Sequence, residues 1–408
     1  MSEPHQPVLN RTNGLMDRVM LLAWVVRVLM GCAGTLLFVL PRLLTQEGIT
    51  ETTAGWIMAS YQMAMLIAMV VGGEMLHKRG TRFTLLVGGL CALAGCATYL
   101  LGSRHPAFYF LARALHGTGA GLVALTLQGM VMMRAERGAR GRAMGLANLP
   151  DFLMMSVSPL LAEALSAAQW TRGIYILAAV ICFAPLCAAS MMPRTGDSAT
   201  PPSLIHAPFG WNHLEWAGMA FSFVGGFAIQ FAMFSVPLVT KQTGGWGFSL
   251  FFLAYGLTAI SGRILIEPRL HGRRSPIALL AFAFLTPTAI VGMSLAHHSW
   301  VFALLGACGG LGHGMYYPSL VQVMTQHIPG HRLMVRVGRL QSVAQFGSML
   351  ASPAAGVLIR HLDQTYALLI GAAVIIPGMA TIMILIHRNL HHLEREDSRA
   401  ASDLGPPI

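Results

Sequence analysis

The chain has 408 residues, of which 55% are hydrophobic and only 11% charged, and a formal net charge of +11. A soluble globular domain carries about 25% charged residues, so this composition excludes that class and describes a polypeptide whose mass lies in a lipid bilayer. The basic residues are scattered over many short segments with no interleaved aromatics, which excludes a nucleic-acid surface as their purpose.

Windows of about 19 residues give apolar spans long enough to cross a hydrocarbon core of roughly 30 Å. Twelve are predicted: 19–41, 54–75, 82–101, 107–130, 143–165, 170–192, 213–237, 246–266, 275–296, 299–322, 334–358 and 365–387. Their length and lack of period-2 alternation make them helices and not barrel strands. The first span is too long for a signal-peptide core, holds Arg27 in its middle and has no small-residue cleavage site after it, so it reads as a retained helix. Between spans six and seven, Pro193 to His213 is rich in Pro, Gly, Ser and Thr and reads as a linker. The expected organisation is therefore an N-terminal tail (1–18), a six-helix bundle (19–192), a linker (193–212), a second six-helix bundle (213–387) and a C-terminal tail (388–408). From His391 onward that tail is charged and expected to be disordered.

Most of the 27 basic residues mark alternate boundaries: Arg11 and Arg18, Lys78 to Arg82, Arg134 to Arg142, Arg194, Arg269 to Arg274, Arg332 to Arg339, and Arg388 to Arg399. Arg42, Arg104, Arg172, Lys241 and Arg360 mark the others. The positive-inside rule then puts both termini and the linker in the cytoplasm. All six cysteines fall within spans, at spacings that give neither a disulfide framework nor a zinc site. The sequence calls for no metal and no cofactor.

The two halves repeat one another. Gly117, Gly119, Gly121 and Gly145 recur as Gly310, Gly312, Gly314 and Gly338, each 193 positions later. A repeated half-unit around a central site is a common plan of secondary transporters. The loop after span two, from Gly73 through His77, Lys78, Gly80 and Arg82, resembles the G-x-L-x-D-R-x-G-R-R signature of the major facilitator superfamily. His77 stands for its aspartate and Thr81 for an arginine. A weaker copy, His271 to Arg274, follows span eight. Arg113 to Gly121 resembles the family's R-x-x-x-G-x-G-x-G element, and Arg137 to Gly145 the loop that follows it. Pro159 keeps part of the exporter-associated pattern in span five without its glycines. The resemblance implies an all-α polytopic fold of twelve helices in two pseudo-symmetric bundles. It also implies a gating role for Gly73, His77, Lys78, Gly80 and Arg82, and a monomeric, multi-pass protein of a bacterial cytoplasmic membrane. Its partners would be a small solute, protons and the lipid bilayer, with no nucleic acid.

Asp151 is the one acidic residue placed deep in a span. Such a carboxylate costs roughly 2.5 to 3.5 kcal/mol on insertion scales and usually handles ions or substrate. It belongs to a stripe with Asn148, Met155 and Ser158. Span one offers Arg27 above Gly31 and Gly34; span two, Tyr61 and Gln62; span four, Arg113 and His116; span ten, His313, Tyr316 and Tyr317; span eleven, Gln341, Gln345 and Ser348. Glu163 reads as lying near the outer edge, and Arg263 as snorkelling to the cytoplasm. Structural roles compete with each reading: interhelical hydrogen bonds for the Gln, Ser and Tyr groups, close packing for the glycines, and hydrogen-bonded core imidazoles for His116 and His313. Arginine cannot escape burial by losing its proton, so Arg27 and Arg113 point to an anionic solute.

The expected function is proton-coupled secondary transport of a small organic, anionic solute. Asp151 would couple the proton, and Arg27, Arg113, His313, Tyr316, Tyr317, Gln341 and Gln345 would bind the solute. Export of a metabolite, drug or siderophore is favoured over uptake of an organic anion or metal-siderophore chelate. Two further alternatives are a copper carrier using Met65, Met69, Met293 and His297, and a non-transporting scaffold. No nucleophile elbow, HExxH or phosphate-binding loop points to an enzyme.

Overall fold

Backbone polar groups have no water to bond in lipid, so apolar spans must satisfy them internally as helix. In the computed structural model every one of the predicted spans falls on helix, and no strand occurs among the described residues, which are 18–101, 105–134, 140–191, 213–243, 246–266, 281–325 and 330–403. The predicted linker, the N-terminal tail before Arg18, the first residues of span nine and the weaker motif copy at 271–274 lie outside them.

Helix α1 (Arg18–Leu36) continues through a 3-10 turn, Leu37–Val39, into Leu40–Gln46. Thr50 then caps the run Glu51–Thr98, its side chain accepting from the amide of Thr53 at 3.2 Å. That run is two spans. Gly80, with φ 78° and ψ 174°, divides it into α2 (51–79) and α3 (81–98), a conformation that residues with a Cβ rarely take. The helices α4 (Pro106–Arg134), α5 (Arg140–Ala167) and α6 (Thr171–Ile181) complete the first half. Span six resumes after a break as Ala184–Met191. Pro185 has no amide to give the carbonyl of Ile181 and its ring crowds that turn, which explains the interruption.

The second half holds α7 (His213–Val239), α8 (Gly247–Ser261), α9 (Leu285–Ser294), α10 (Ser299–Thr325), α11 (Gly330–His361) and α12 (Gln364–Asp403). The last turn of α8 widens into a π-helix, Gly262–Ile266, and a 3-10 turn, Ala281–Phe284, leads into α9. Helix α12 corrects one expectation: the tail is helical to Asp403. Leucine, alanine and alternating charges there are good helix formers and outweigh the low hydropathy.

The repeated glycines set the packing. A Cβ on Gly117 or Gly121 would strike the backbone of Tyr61 or Met65 on α2, and one on Gly119 would strike Gly88 and Ala92 on α3. In the second half Gly310 and Gly314 meet Tyr255 and Ala259 of α8, while Gly312 meets Phe282 and Thr286 at the start of α9. These glycines let α4 and α10 approach their neighbours backbone to backbone. Helix α11 packs on α7 as α5 packs on α1. The halves themselves touch where α2 meets α11 and where α5 meets α8, a pairing that the repeat maps onto itself. Gly55 lies on the carbonyl of Ser352, Gly356 on that of Glu51, and Gly256 on that of Phe152.

Candidate functional site

Between the halves lies a cavity of about 350 Å³, within the usual order of size for a small-molecule site, a few hundred cubic ångströms. The structure brings Asp151, Arg27, Arg113, His313, Tyr316, Tyr317, Gln341 and Gln345 to this one space. Gly31, Gly34, Tyr61, Gln62, Asn148, Met155 and Ser348 also line it. Ser158 does not belong to the wall; its hydroxyl is buried. The motif residues Gly73, His77, Lys78, Gly80 and Arg82 stand apart at the α2–α3 turn, where exposed Lys78 pairs with Glu74 at 2.6 Å.

Arg27 and Asp151 form a two-point ion pair. Arg27 Nε donates to Oδ1 at 2.9 Å and Nη2 to Oδ2 at 2.5 Å, while Nη2 also reaches Asn148 Oδ1 at 3.3 Å. Gly31, one turn along α1, leaves the room: a Cβ there would sit 3.4 Å from Asp151 Oδ1. Both side chains line the cavity, and the carboxylate is the more open of the two, with Asp151 38% exposed and Arg27 14%.

Among the described residues Arg113 has no acidic partner. Its guanidinium lies over the Tyr61 ring, 4.4 Å from the centroid, and its Nε and Nη1 are buried without a hydrogen bond. A third guanidinium corrects the sequence reading. Arg263 does not snorkel away but lines the cavity, donating to the carbonyl of Gly314 at 3.1 Å and covering Phe152 of the other half at 5.1 Å. It stands in the widened last turn of α8, and Gly314 brings a bare carbonyl within reach. Among the described lining residues Asp151 is the only carboxylate, against Arg27, Arg113 and Arg263.

The second half supplies neutral groups. His313 Nδ1 and the Tyr255 hydroxyl share a hydrogen bond of 2.6 Å, in keeping with a core imidazole. The hydroxyls of Tyr316 and Tyr317 donate to the carbonyls of Ser222 and Val337 at 3.1 and 3.4 Å, so these residues offer the cavity ring surface more than phenol. Gln230 escaped the sequence reading. It bridges the halves, accepting from Gln62 at 3.4 Å and donating to Ser352 at 3.0 Å. Its signal was present as the one amide side chain in the apolar helix α7.

Two other expectations change. Arg42, read as a basic residue marking a span boundary, is buried at 6% exposure and pairs with Glu163 at 3.1 Å while covering Phe248 at 5.3 Å. His116, expected to be a hydrogen-bonded core imidazole, has no hydrogen-bond partner on either ring nitrogen and lies edge-on to Tyr61. For the copper-carrier alternative, Met65 lines the cavity, but Met293 is buried elsewhere and His297 is exposed.

Two pseudo-symmetric helical halves with a cavity between them define the class of secondary transporters built from repeats. The family model of the Major Facilitator Superfamily matches residues 22–266 and again 216–406, and the chain belongs to that superfamily. It is therefore a multi-pass membrane transporter and not an enzyme. It is 20% identical over 354 residues to the multidrug efflux protein YfmO of Bacillus subtilis (strain 168), covering 85% of this chain and 87% of that protein. It is 26% identical over 253 residues to the puromycin resistance protein pur8 of Streptomyces alboniger, covering 59% of this chain and 45% of that one. Among solved structures, the human organic anion transporter MFSD10 (TETRAN) matches with a TM-score of 0.64 at 15% identity, and a mutant of the nucleoside transporter NupG with 0.69 at 13%. Each likeness covers 90% of this chain and 99% of the other. At such identities these likenesses speak for the fold alone.

Proposed function

We propose that this protein is a proton-coupled transporter of a small organic solute with an anionic group, working in a bacterial cytoplasmic membrane with both termini inside. The observation that carries the anionic reading is the imbalance in the cavity wall, three guanidiniums against the single carboxylate of Asp151. In a partly desolvated space that imbalance favours a carboxylate or phosphate on the solute. Asp151 is the proton carrier, because it alone among the lining residues is a carboxylate open to the cavity. The gating residues of the α2–α3 turn would guard the cytoplasmic mouth. The names of the two relatives favour export.

A second reading, uptake with a proton, is favoured by the Arg27–Asp151 pair. Protonating Asp151 would release the Arg27 fork to an anion, so proton and anion would assist one another's binding, and by reciprocity each would raise the other's affinity. That linkage belongs to symport. Export by exchange requires instead that solute and proton exclude one another, as for a zwitterion whose cationic end competes at Asp151.

The sign of proton movement separates the two. Everted vesicles with an acid interior would be challenged with a panel of organic anions and zwitterions while a pH-sensitive dye reports the gradient. Exchange alkalinises the interior when solute is added, and symport does not. In either case Asp151→Asn should abolish solute-driven proton movement while leaving solute exchange in place. Unchanged proton movement in that variant would remove Asp151 from the coupling step.

A further inference from the structure

Behind the cavity wall, three helices bring together side chains that no part of the transport reading uses. Cys96 of α3, His116 of α4 and Cys182 at the break in span six are fully buried, and their ligand atoms all lie within 4.8 Å of one another. The approach is built into the backbone. Gly95 lets α3 close on the backbone of His116 and Ala112, and the break before Pro185 ends α6 at Cys182.

We propose that Cys96, Cys182 and His116 form a binding site for a soft monovalent metal ion, Cu(I). The sulfur spacing fits a metal better than a disulfide. The two Sγ atoms are 3.6 Å apart, whereas a disulfide needs about 2.05 Å. Two thiolates held about 2.3 Å from one ion, at the angle near 120° that three ligands take, would stand about 4 Å apart.

The imidazole supplies an independent observation. Buried polar atoms are nearly always hydrogen-bonded, yet both ring nitrogens of His116 are buried without a partner. Coordination by one nitrogen would satisfy that atom.

Charge and ligand number then select the ion. When Cu(I) enters, two thiol protons leave, no electron moves, and the cluster gains one negative charge. Arg113 lies one helical turn before His116, is 3% exposed, and holds two unpartnered nitrogens; its positive charge would balance that gain. A divalent zinc ion would leave the cluster neutral and Arg113 uncompensated, and structural zinc takes four ligands where the cluster offers three. Thiolate and imidazole together suit Cu(I). The site is separate from the Met65 and Met293 pairs considered in the sequence, and it reverses the expectation of no metal. The Tyr61 ring lies edge-on to His116 at 5.3 Å and also lines the cavity.

The test is anaerobic titration of the reduced, full-length protein in detergent with Cu(I) against a chromogenic chelator. One ion per chain is expected. Affinity should fall at least tenfold in Cys96→Ser and Cys182→Ser and remain in Cys91→Ser and Cys308→Ser. X-ray absorption of the wild-type complex should give two sulfurs and one imidazole nitrogen, a readout that needs no variant to fold. The proposal is overturned by the absence of stoichiometric binding, by undiminished binding in the Cys96→Ser/Cys182→Ser double variant, or by a coordination shell without imidazole. It is equally overturned by preference for zinc, or by a native Cys96–Cys182 disulfide that excludes metal.

Discussion

The two walls of the cavity solve the same packing problem with opposite chemistry. In the first half the wall carries an ion pair and a second arginine beside its neutral groups: Arg27 is locked to Asp151 and Arg113 lies over Tyr61. In the second half the polar groups are mainly neutral: His313 is tied to Tyr255, the two tyrosine hydroxyls to backbone carbonyls, and Gln230 to Ser352. Arg263 is the exception, and it leans across onto Phe152 of the first half. The one lining carboxylate that can change its charge thus stands on the first wall, while the second offers mainly dipoles and ring surface. A common backbone repeat does not impose a common chemistry, because the glycines that carry the repeat make helix contacts and leave the cavity faces free to diverge.

The sharpest way to break the contrast is to strand the carboxylate. Removing one partner of a buried pair costs roughly 3 to 5 kcal/mol. Because Asp151 is 38% exposed to the cavity, Arg27→Ala should lose about 3 kcal/mol, the lower end of that range. The loss is read from thermal unfolding in detergent, and the double variant Arg27→Ala/Asp151→Asn should recover most of it. Wild-type stability in the single variant would mean that the pair contributes nothing to the first wall.

A smaller effect is expected at the seam between the walls. A side chain at Gly256 collides with Phe152 and Ser156, and overpacking costs about 1 to 3 kcal/mol. Gly256→Leu should therefore shift the population away from this closed seam by about thirtyfold, for a cost near 2 kcal/mol. Spin labels at Ala168 and Leu362 would report the longer distance. An unchanged distance distribution would show that the α5–α8 contact does not limit opening.

Smallest is Gln230→Ala on the neutral wall. Losing a neutral hydrogen bond costs about 1 kcal/mol, near fivefold, seen as a modest drop in thermal stability. A drop as large as that of Arg27→Ala would erase the distinction between ionic and neutral walls.

Much of this arrangement was legible in the sequence because lone polar residues in apolar spans have nowhere to face but inward. Spacing of three and four puts Arg27 above Gly31, and Asn148 beside Asp151. The exceptions share a cause. Arg263 and Arg42 stand near span ends, where a long side chain can turn either way, and tertiary partners, Phe152 and Glu163, decided the matter. The Cys96, His116 and Cys182 cluster joins three helices, and neither periodicity nor spacing encodes which helices touch. The extra length of α12 was hidden by equating charge with disorder.

Where α2 meets α11 and α5 meets α8, the atoms in contact include glycine α-carbons and carbonyl oxygens. Dispersion between such atoms is spent quickly, a gap of 0.5 to 1 Å forfeiting about a quarter to a half of it. A long, compliant ion pair would tug over several ångströms; these contacts let go within one. The seam therefore behaves as a press-stud and not as a spring: it grips while shut, parts over a short travel, and afterwards exerts little pull on the swinging halves.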